Sequence, residues 1–407
     1  MNIAGPVKTS VLIERAFRVG LRRLEGRLLA ANARILSKQV LFNVTGPEAF
    51  LCVDMPAHKI KKITCALEDS DDLGRLFDLD VIDTDFTKIE RSGLGKGERK
   101  CLICSNDAKV CSSRRVHSVE DLQKRTKEIL QSTVPEYEAE LVASLAVKAL
   151  LCEVYITPKP GLVDRANNGS HSDMNMLTFA GSASVLNSYF RKAYLCGNDF
   201  EKLRHAGLDA EQSMFSETRG VNTHKGAIFT MGIVCAATGL AMAEGKTDYL
   251  TVLEKCAQLS EGIVERDLAG LSASECMTAG QRLYVGHGLS GIRGEMESGL
   301  PSVRNYGFPV LEKLLSEGKT WDQAGSNALL AILANITDTN MVSRGGLEKA
   351  GQASAQAAEL VSQGFVPLEK IEELDRKYCS ENLSPGGAAD LLAVCCYLHF
   401  LKEAMNV

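Results

Sequence analysis

GVNTHKGAIFTMGIVCAATGLAMA, residues 220–243, is the stretch on which the architecture turns. From Gly226 to Ala243 it carries no charged side chain, which just reaches the length of a membrane span. Its Gly, Ala and Thr content, in place of Leu and Ile, fits instead a buried central helix with other helices packed around it. Outward from it lie further Ala-rich and Leu-rich runs ended by glycine: Glu138 to Leu151, Met174 to Leu195, Tyr249 to Ile263, Asp322 to Ile336 and Ala388 to Leu401. β-branched alternation is nearly absent there, so this part predicts an all-α unit.

The composition changes character near residue 135. Before it, short alternating segments punctuated by turn residues predict an α/β unit, with a helix over Val11 to Leu29 and strands at Val40 to Val44, Phe50 to Val53, Ile63 to Glu68 and Leu76 to Ile82. Residues 131–137, with Ser132, Thr133 and Pro135, read as a linker, which places one domain at 1–130 and another at 138–407.

The chain as a whole has 407 residues, 46 basic against 51 acidic side chains and a net charge of -5, so no global basic field favours nucleic acid or an anionic membrane. An anionic ligand has to be held locally. A hydrophobic share of 45% with 24% charged residues excludes disordered and fibrous classes. Thirteen cysteines, an odd number spread over the whole length, point to a reducing compartment and a cytoplasmic protein. The first ten residues have no targeting pattern.

Two groups of residues in the first unit carry chemistry. In Gly74-Arg75-Leu76-Phe77-Asp78-Leu79-Asp80-Val81 the period of a strand puts Asp78 and Asp80 on one face and Phe77, Leu79 and Val81 on the other. Adjacent carboxylates repel unless a cation sits between them, and Mg²⁺ is the usual solution; two acids on a solvated face are the plain alternative. Cys101-x2-Cys104, followed by Cys111 and His117, has spacing suited to tetrahedral Zn²⁺, against the alternative of reduced structural thiols and a surface histidine.

Polar clusters interrupt the helices of the second unit. Thr157 to Arg165, with two prolines and a glycine, forms a turn presenting Lys159, Asp164 and Arg165 together. Gly169 to Met174 opens a helix with Asp173, a position that the helix dipole also favours without any ligand. Gly220 to Gly226 brings Asn222, Thr223, His224 and Lys225 to the positive end of the uncharged helix, where capping and polyphosphate binding both fit. Leu383 to Asp390 places Ser384 at an N-cap, Pro385 at the first helical position, and Gly386 and Gly387 where a ligand can approach the backbone, with Asp390 one turn inside. Ile336 to Asn340 adds Asp338, and Arg344-Gly345-Gly346 adds a phosphate-capable arginine.

Both halves carry resemblances. Gly5-Pro6-Val7-Lys8, the Gly74 to Val81 stretch and the cysteine segment, over residues 3 to 130, resemble the holo-citrate lyase synthase family, phosphoribosyl-dephospho-CoA transferases that modify the lyase's acyl carrier protein. That resemblance implies a nucleotidyltransferase-like fold, shortened at its start, in which Asp78 and Asp80 hold the metal and Arg75 neutralises phosphate while a carrier-protein serine displaces pyrophosphate. From 138 to 403, Gly-Val-Asn-Thr-His-Lys-Gly and Ser-Pro-Gly-Gly-Ala-Ala-Asp resemble the triphosphoribosyl-dephospho-CoA synthase family, which joins ATP to 3′-dephospho-CoA and expels adenine. The resemblance implies Mg²⁺ on several of Asp164, Asp173, Asp338 and Asp390, assistance from Lys159, Arg165, Lys225 and Arg344, and His224 as proton donor to adenine or partner of phosphate. Asn222, Thr223, Ser384, Gly386 and Gly387 would line the substrate site. A Mg²⁺-dependent N-glycosidic hydrolase and a noncatalytic module that holds the precursor are the competing classes.

Overall fold

Ser10 accepts a hydrogen bond from the Ile13 amide at 3.2 Å and so caps α1 (Val11–Ala30), whose stripe of Ile13, Ala16, Val19, Leu24 and Leu28 is buried. In the computed structural model, which describes every residue except 2, 105, 273, 275–277 and 406–407, the chain divides into two compact units. The first comprises Met1–Glu138 with Ala243–Gly245, and the second Ala139–Met242 with the chain from Lys246 onward.

In the first unit α1 packs on an antiparallel hairpin of β1 (Arg34–Asn43) and β2 (Gly46–Asp54), in register from Arg34 opposite Asp54 to Asn43 opposite Gly46. α2 (Ala57–Glu68), α3 (Ala108–Ser113) and the start of α4 (Val119–Tyr155) complete it. Two expected strands are not strands. Ile63 to Glu68 belongs to α2, because Ile60, Ile63, Thr64 and Leu67 recur at helical spacing toward the core. Leu76 to Ile82 follows a 3₁₀ turn at Gly74–Leu76 as extended chain with a single bridge, Ile82 to Lys88. Its alternation survives without a sheet: Phe77 and Val81 are buried and Asp78 and Asp80 exposed.

The backbone of that segment is satisfied by side chains in place of a neighbouring strand. Arg99 donates to the carbonyls of Arg75 at 2.7 Å and Phe77 at 2.9 Å, Lys61 donates to Leu79 O at 3.0 Å, and Glu68 accepts from Leu79 N at 2.9 Å. The first unit therefore mixes helices with one two-stranded sheet among the described residues, while the chain as a whole is mostly helical. Residues 131–137, expected as a linker, lie inside α4, which accommodates Pro135. Ile129, Leu130 and Val134 on that helix are buried in the first unit's core, and this burial outweighs the local turn composition.

The second unit is all helical. α5 (Met176–Val185), α6 (Asn187–Leu195), α7 (Phe200–Glu217) and α8 (Lys225–Ala243) are followed by α9 (Tyr249–Leu259), α10 (Ile263–Leu268), α11 (Ala279–His287) and α12 (Gly291–Glu297). α13 (Phe308–Ser316), α14 (Trp321–Leu333), α15 (Thr339–Ser362), α16 (Leu368–Ser380) and α17 (Gly386–Met405) complete it. α8 is the central helix that its composition predicted. Although apolar and long enough to cross a membrane, it buries Ile228, Met231, Val234 and Cys235 in the same core as Leu392, Val394 and Cys395 of α17. Small residues there admit close neighbours: a Cβ on Gly232 would lie 1.9 Å from the Tyr189 hydroxyl, which donates to Ile228 O at 3.0 Å. Thr238 accepts from the Tyr397 hydroxyl at 2.9 Å, so the buried polar groups of the seam are paired.

Candidate functional site

The polar clusters of the second unit come together around the start of α17. Gly161, at φ +69°, packs so tightly that a Cβ would lie 2.1 Å from Leu383 O. Ser170 donates to that same carbonyl at 2.5 Å, and His171 Nε2 meets the buried Ser384 Oγ at 2.9 Å. Arg344 donates to Asn382 O at 3.1 Å and to Asn382 Oδ1 at 2.7 Å, and also binds Ser170 O. It thus fastens two loops together. Cβ atoms on Gly386 and Gly387 would lie 2.5 Å from Asn340 Nδ2 and 3.0 Å from Asp338 Oδ2. On the other side, a Cβ on Gly226 would lie 2.1 Å from Asp390 Oδ2.

The four aspartates differ in what they already hold. Asp338 is buried and caps α15, accepting from Asn340 N at 2.9 Å and Met341 N at 3.1 Å, and its other oxygen accepts from Ala388 N at 2.8 Å. The positive end of α17 is therefore met by a carboxylate of the protein itself. Asp164 accepts from the amides of Lys159, Ala166 and Asn167 at 3.0, 2.7 and 3.1 Å and closes its own turn. Burial nevertheless pushes both carboxyls up from their ordinary value. Asp173 is exposed. Asp390, half-buried, makes no hydrogen bond or ion pair among the described residues, and desolvation, with Glu153 and Asp338 nearby, raises its proton affinity well above the carboxylate range.

Two buried groups complete the picture. Lys159 pairs with Glu153, and both are almost fully shielded from solvent. His224, also buried, has Nδ1 2.7 Å from Ser182 Oγ, and Thr223 donates to that same oxygen at 2.8 Å. Ser182 Oγ has a hydrogen to give Nδ1 and a second lone pair to accept from it, so the direction of this bond follows the ring tautomer, and Nε2 carries the proton when Ser182 donates. Nε2 has no partner. Burial, with Lys159 nearby, pulls the imidazole down to about 3, so His224 is a neutral ring rather than a cationic acid.

The remaining cations are engaged at the rim. Lys225 pairs with Glu211 at 2.8 Å, Arg165 pairs with Asp322 and stacks over Tyr155 at 4.1 Å, and Asn222 caps α8 by accepting from Lys225 N at 3.3 Å. A cavity of about 280 Å³ opens on the Asp338 side, between Thr337, Asp338, Gly387, Leu391, Ser290 and Glu295. Lys159, His224 and Asp390 do not line it. Sequence reasoning missed the segment 288–295 and also Glu153. The signal for Glu153 was present: it is the one acid in the apolar run Leu141 to Ile156.

In the first unit Asp78 and Asp80 are exposed and separately countered, by Arg99 at 3.8 Å and Lys88 at 2.8 Å. A cleft of about 1,120 Å³ lies between Arg75, Arg91, Arg99, Lys100, Arg115 and His117, and neither aspartate lines it. Arg75 donates to Lys100 O at 3.0 Å and also to Cys101 O.

The chain thus has two parts: a helical unit with a buried acid–lysine–histidine cluster beneath converging loops, and a smaller unit with a cleft lined by both basic and acidic side chains, Glu68, Asp69, Glu98 and Glu120 among the latter. Residues 139–407 match the family described as ATP:dephospho-CoA triphosphoribosyl transferase, and residues 1–133 match apo-citrate lyase phosphoribosyl-dephospho-CoA transferase. Protein CitXG of Leuconostoc mesenteroides subsp. cremoris is 33% identical, over 98% of this chain and 90% of its own length. Protein CitXG of Haemophilus influenzae is 32% identical, over 97% and 88%. The 2-(5''-triphosphoribosyl)-3'-dephosphocoenzyme-A synthase of Haemophilus ducreyi is 36% identical, over 72% of this chain and 97% of its own. The chain belongs to the ATP:dephospho-CoA triphosphoribosyl transferase family, in the bifunctional form that also carries the citrate lyase transferase unit.

Proposed function

We propose that the second unit transfers the triphosphoribosyl group of ATP to 3′-dephospho-CoA with release of adenine, and that the first unit transfers the product to a serine of apo-citrate lyase acyl carrier protein with release of pyrophosphate. The family membership supports both activities over hydrolysis or passive binding. The observation that carries the first reaction is the partnerless carboxyl of Asp390 among Glu153, Lys159 and Asp338, where loops from five parts of the sequence meet.

In the transfer, the acceptor ribose hydroxyl forms a bond to C1′ of the ATP ribose while the C1′–N9 bond breaks, and the hydroxyl proton balances the departing adenine. Asp390, once ionised, takes that proton and passes it to the departing adenine, which restores the carboxylate. In its Nε2–H tautomer His224 donates to a nitrogen of adenine or to a phosphate oxygen, without itself ionising. Lys159 and the Glu153 carboxylate flank the positive charge that builds on the ribose. Mg²⁺ would be carried in by the triphosphate, with Asp338, Asp164 and Asp173 beside Asp390 as the carboxylates it can meet; among the described residues these do not converge as a ready-made ion site. Bound there, Mg²⁺ would supply charge neutralisation of the triphosphate. Lys225, Arg165 and Arg344 stand at the rim for the same anion.

For the first unit we propose a nucleotidyltransferase-type exchange, in which Asp78 and Asp80, exchanging Arg99 and Lys88 for a metal, would be its ligands and Arg75 would meet phosphate. The unpaired cysteines suit a cytoplasmic setting.

The test is one incubation of the full chain with ATP, dephospho-CoA, Mg²⁺ and apo-carrier protein, read by adenine chromatography and by carrier mass. Adenine release that requires dephospho-CoA, and a carrier mass shift by the whole prosthetic group, are expected. Adenine released without the acceptor would show a hydrolase, and ligand binding without release would show a carrier module; either sinks the proposal.

A further inference from the structure

We infer that Cys101, Cys104, Cys111 and His117 form a tetrahedral zinc site that organises the wall of the first unit's arginine-lined cleft. Their four ligand atoms all lie within 4.8 Å of one another, with Cys104 Sγ 3.5 Å from Cys111 Sγ and 3.2 Å from His117 Nε2. Tetrahedral ligands about 2.0–2.3 Å from a metal stand about 3.3–3.8 Å from each other, so the cluster is close to the shape that Zn²⁺ demands. Three sulfurs and one imidazole nitrogen are a donor set for zinc and unsuited to Mg²⁺ or Ca²⁺.

The surrounding chain explains why a metal is needed. Among the described residues from Arg99 to His117, the only regular structure is the short α3 and a single bridge between Lys100 and Asp107. Buried side chains are few: Cys101 and Cys111 are buried, and Leu102 packs at the edge of the core. A segment of this kind lacks the apolar burial to order itself, and a metal supplies what packing does not. Backbone bonds bring the ligands near one another, Cys101 N to Asn106 O at 2.7 Å and Val116 N to Cys111 O at 3.0 Å. The same segment carries Arg99, Lys100 and Arg115 into the cleft, and Arg75 is tied to Lys100 O and Cys101 O. On the proposed function, to which this last step is attached, the zinc holds the phosphate-facing guanidinium groups in place without touching substrate, so its ligands are positioning residues.

The full chain, purified under reductant, is assayed for metal by elemental mass spectrometry, and the chelated, reduced chain is titrated with Co²⁺. About one zinc per chain and the visible bands of tetrahedral thiolate-bound cobalt are expected. The paired variant Cys104→Ser/Cys111→Ser should lose at least ~90% of the metal. Resistance of α1 and the β1–β2 hairpin, which hold none of the four ligands, to limited proteolysis reports whether the first unit of the variant still folds. A reduced wild-type chain that takes up neither metal, zinc that persists in the variant, or a Cys104–Cys111 disulfide in the purified chain would each overturn the inference. Because metal content is read without any carrier protein, failure of the transferase reading would leave this result untouched.

Discussion

The raised proton affinity of Asp390 has a measurable signature in stability. Its carboxyl keeps its proton to higher pH in the folded state than in the unfolded chain, so its contribution to stability is complete at low pH and is lost as pH rises from the ordinary carboxylate range toward the raised value. Asp390→Asn should therefore raise the melting temperature of the metal-free protein near pH 8, by ~2–4 °C for each kcal/mol relieved, and change little near pH 4. The same variant should lose ~10²–10⁴-fold in adenine release. A variant that is no more stable at pH 8, or one that releases adenine at the wild-type rate, removes Asp390 from its assigned place. His224 has the opposite sign. Its ring is neutral when folded down to about 3 and protonates near 6.5 when unfolded, so stability climbs with pH between these values and is level above them. His224→Gln, which keeps an N–H donor, should flatten that part of the profile of unfolding free energy against pH, while His224→Phe should flatten it and also lower adenine release by ~10²-fold or more. Equal activity of the two variants would mean that the orphan donor plays no part in the reaction.

Helix starts set the positions of these groups, and they show how far sequence reasoning reaches. Gly226 opens α8 where a Cβ would stand 2.1 Å from Asp390 Oδ2, so Gly226→Ala should displace the carboxylate and lower adenine release at least ~10-fold, with the melting temperature nearly unchanged. Gly26, an exposed residue late in α1 with open space where a Cβ would go, is the control: Gly26→Ala should add ~0.5–1 kcal/mol in a urea titration and leave both reactions as they were. Reversal of the two outcomes would show that helix propensity, and not the shape of the site, governs these glycines. The helices themselves were legible from charge-free and Ala-rich runs, since α8 and α17 are buried all round and their sequences say so. The clusters that meet around the start of α17 were legible as unusual residues at helix openings, where glycine, proline and charge lie next to a buried helix. Partnership was not legible. Nothing local in Asp338-Thr339-Asn340 reveals that the carboxylate spans 50 positions to the amide of Ala388, and nothing in Ile63 to Glu68 distinguishes a strand from a helix until α1 offers a face to pack on. Arg99 escaped for the same reason: its hydrogen bonds to Arg75 and Phe77 exist only once the chain has returned to that place.

One polypeptide carries two reactions whose intermediate is a soluble nucleotide, and tethering raises the concentration of that intermediate near the second site without requiring that it stay bound. The two units have separate cores and separate candidate residues, so damage to one chemistry should leave the other intact. Asp78→Asn/Asp80→Asn is expected to abolish carrier modification and to release adenine at the wild-type rate, whereas Asp390→Asn should modify the carrier only when the triphosphoribosyl nucleotide is supplied ready-made. Mixing the two variant chains then asks whether the intermediate travels through solution. If it does, the mixture should regain carrier modification after a lag that shortens as both chains are concentrated, and a large excess of unmodified carrier should not change the lag. A mixture that stays inactive at every concentration, while each variant performs its own half-reaction, would refute free diffusion and require direct transfer within one chain.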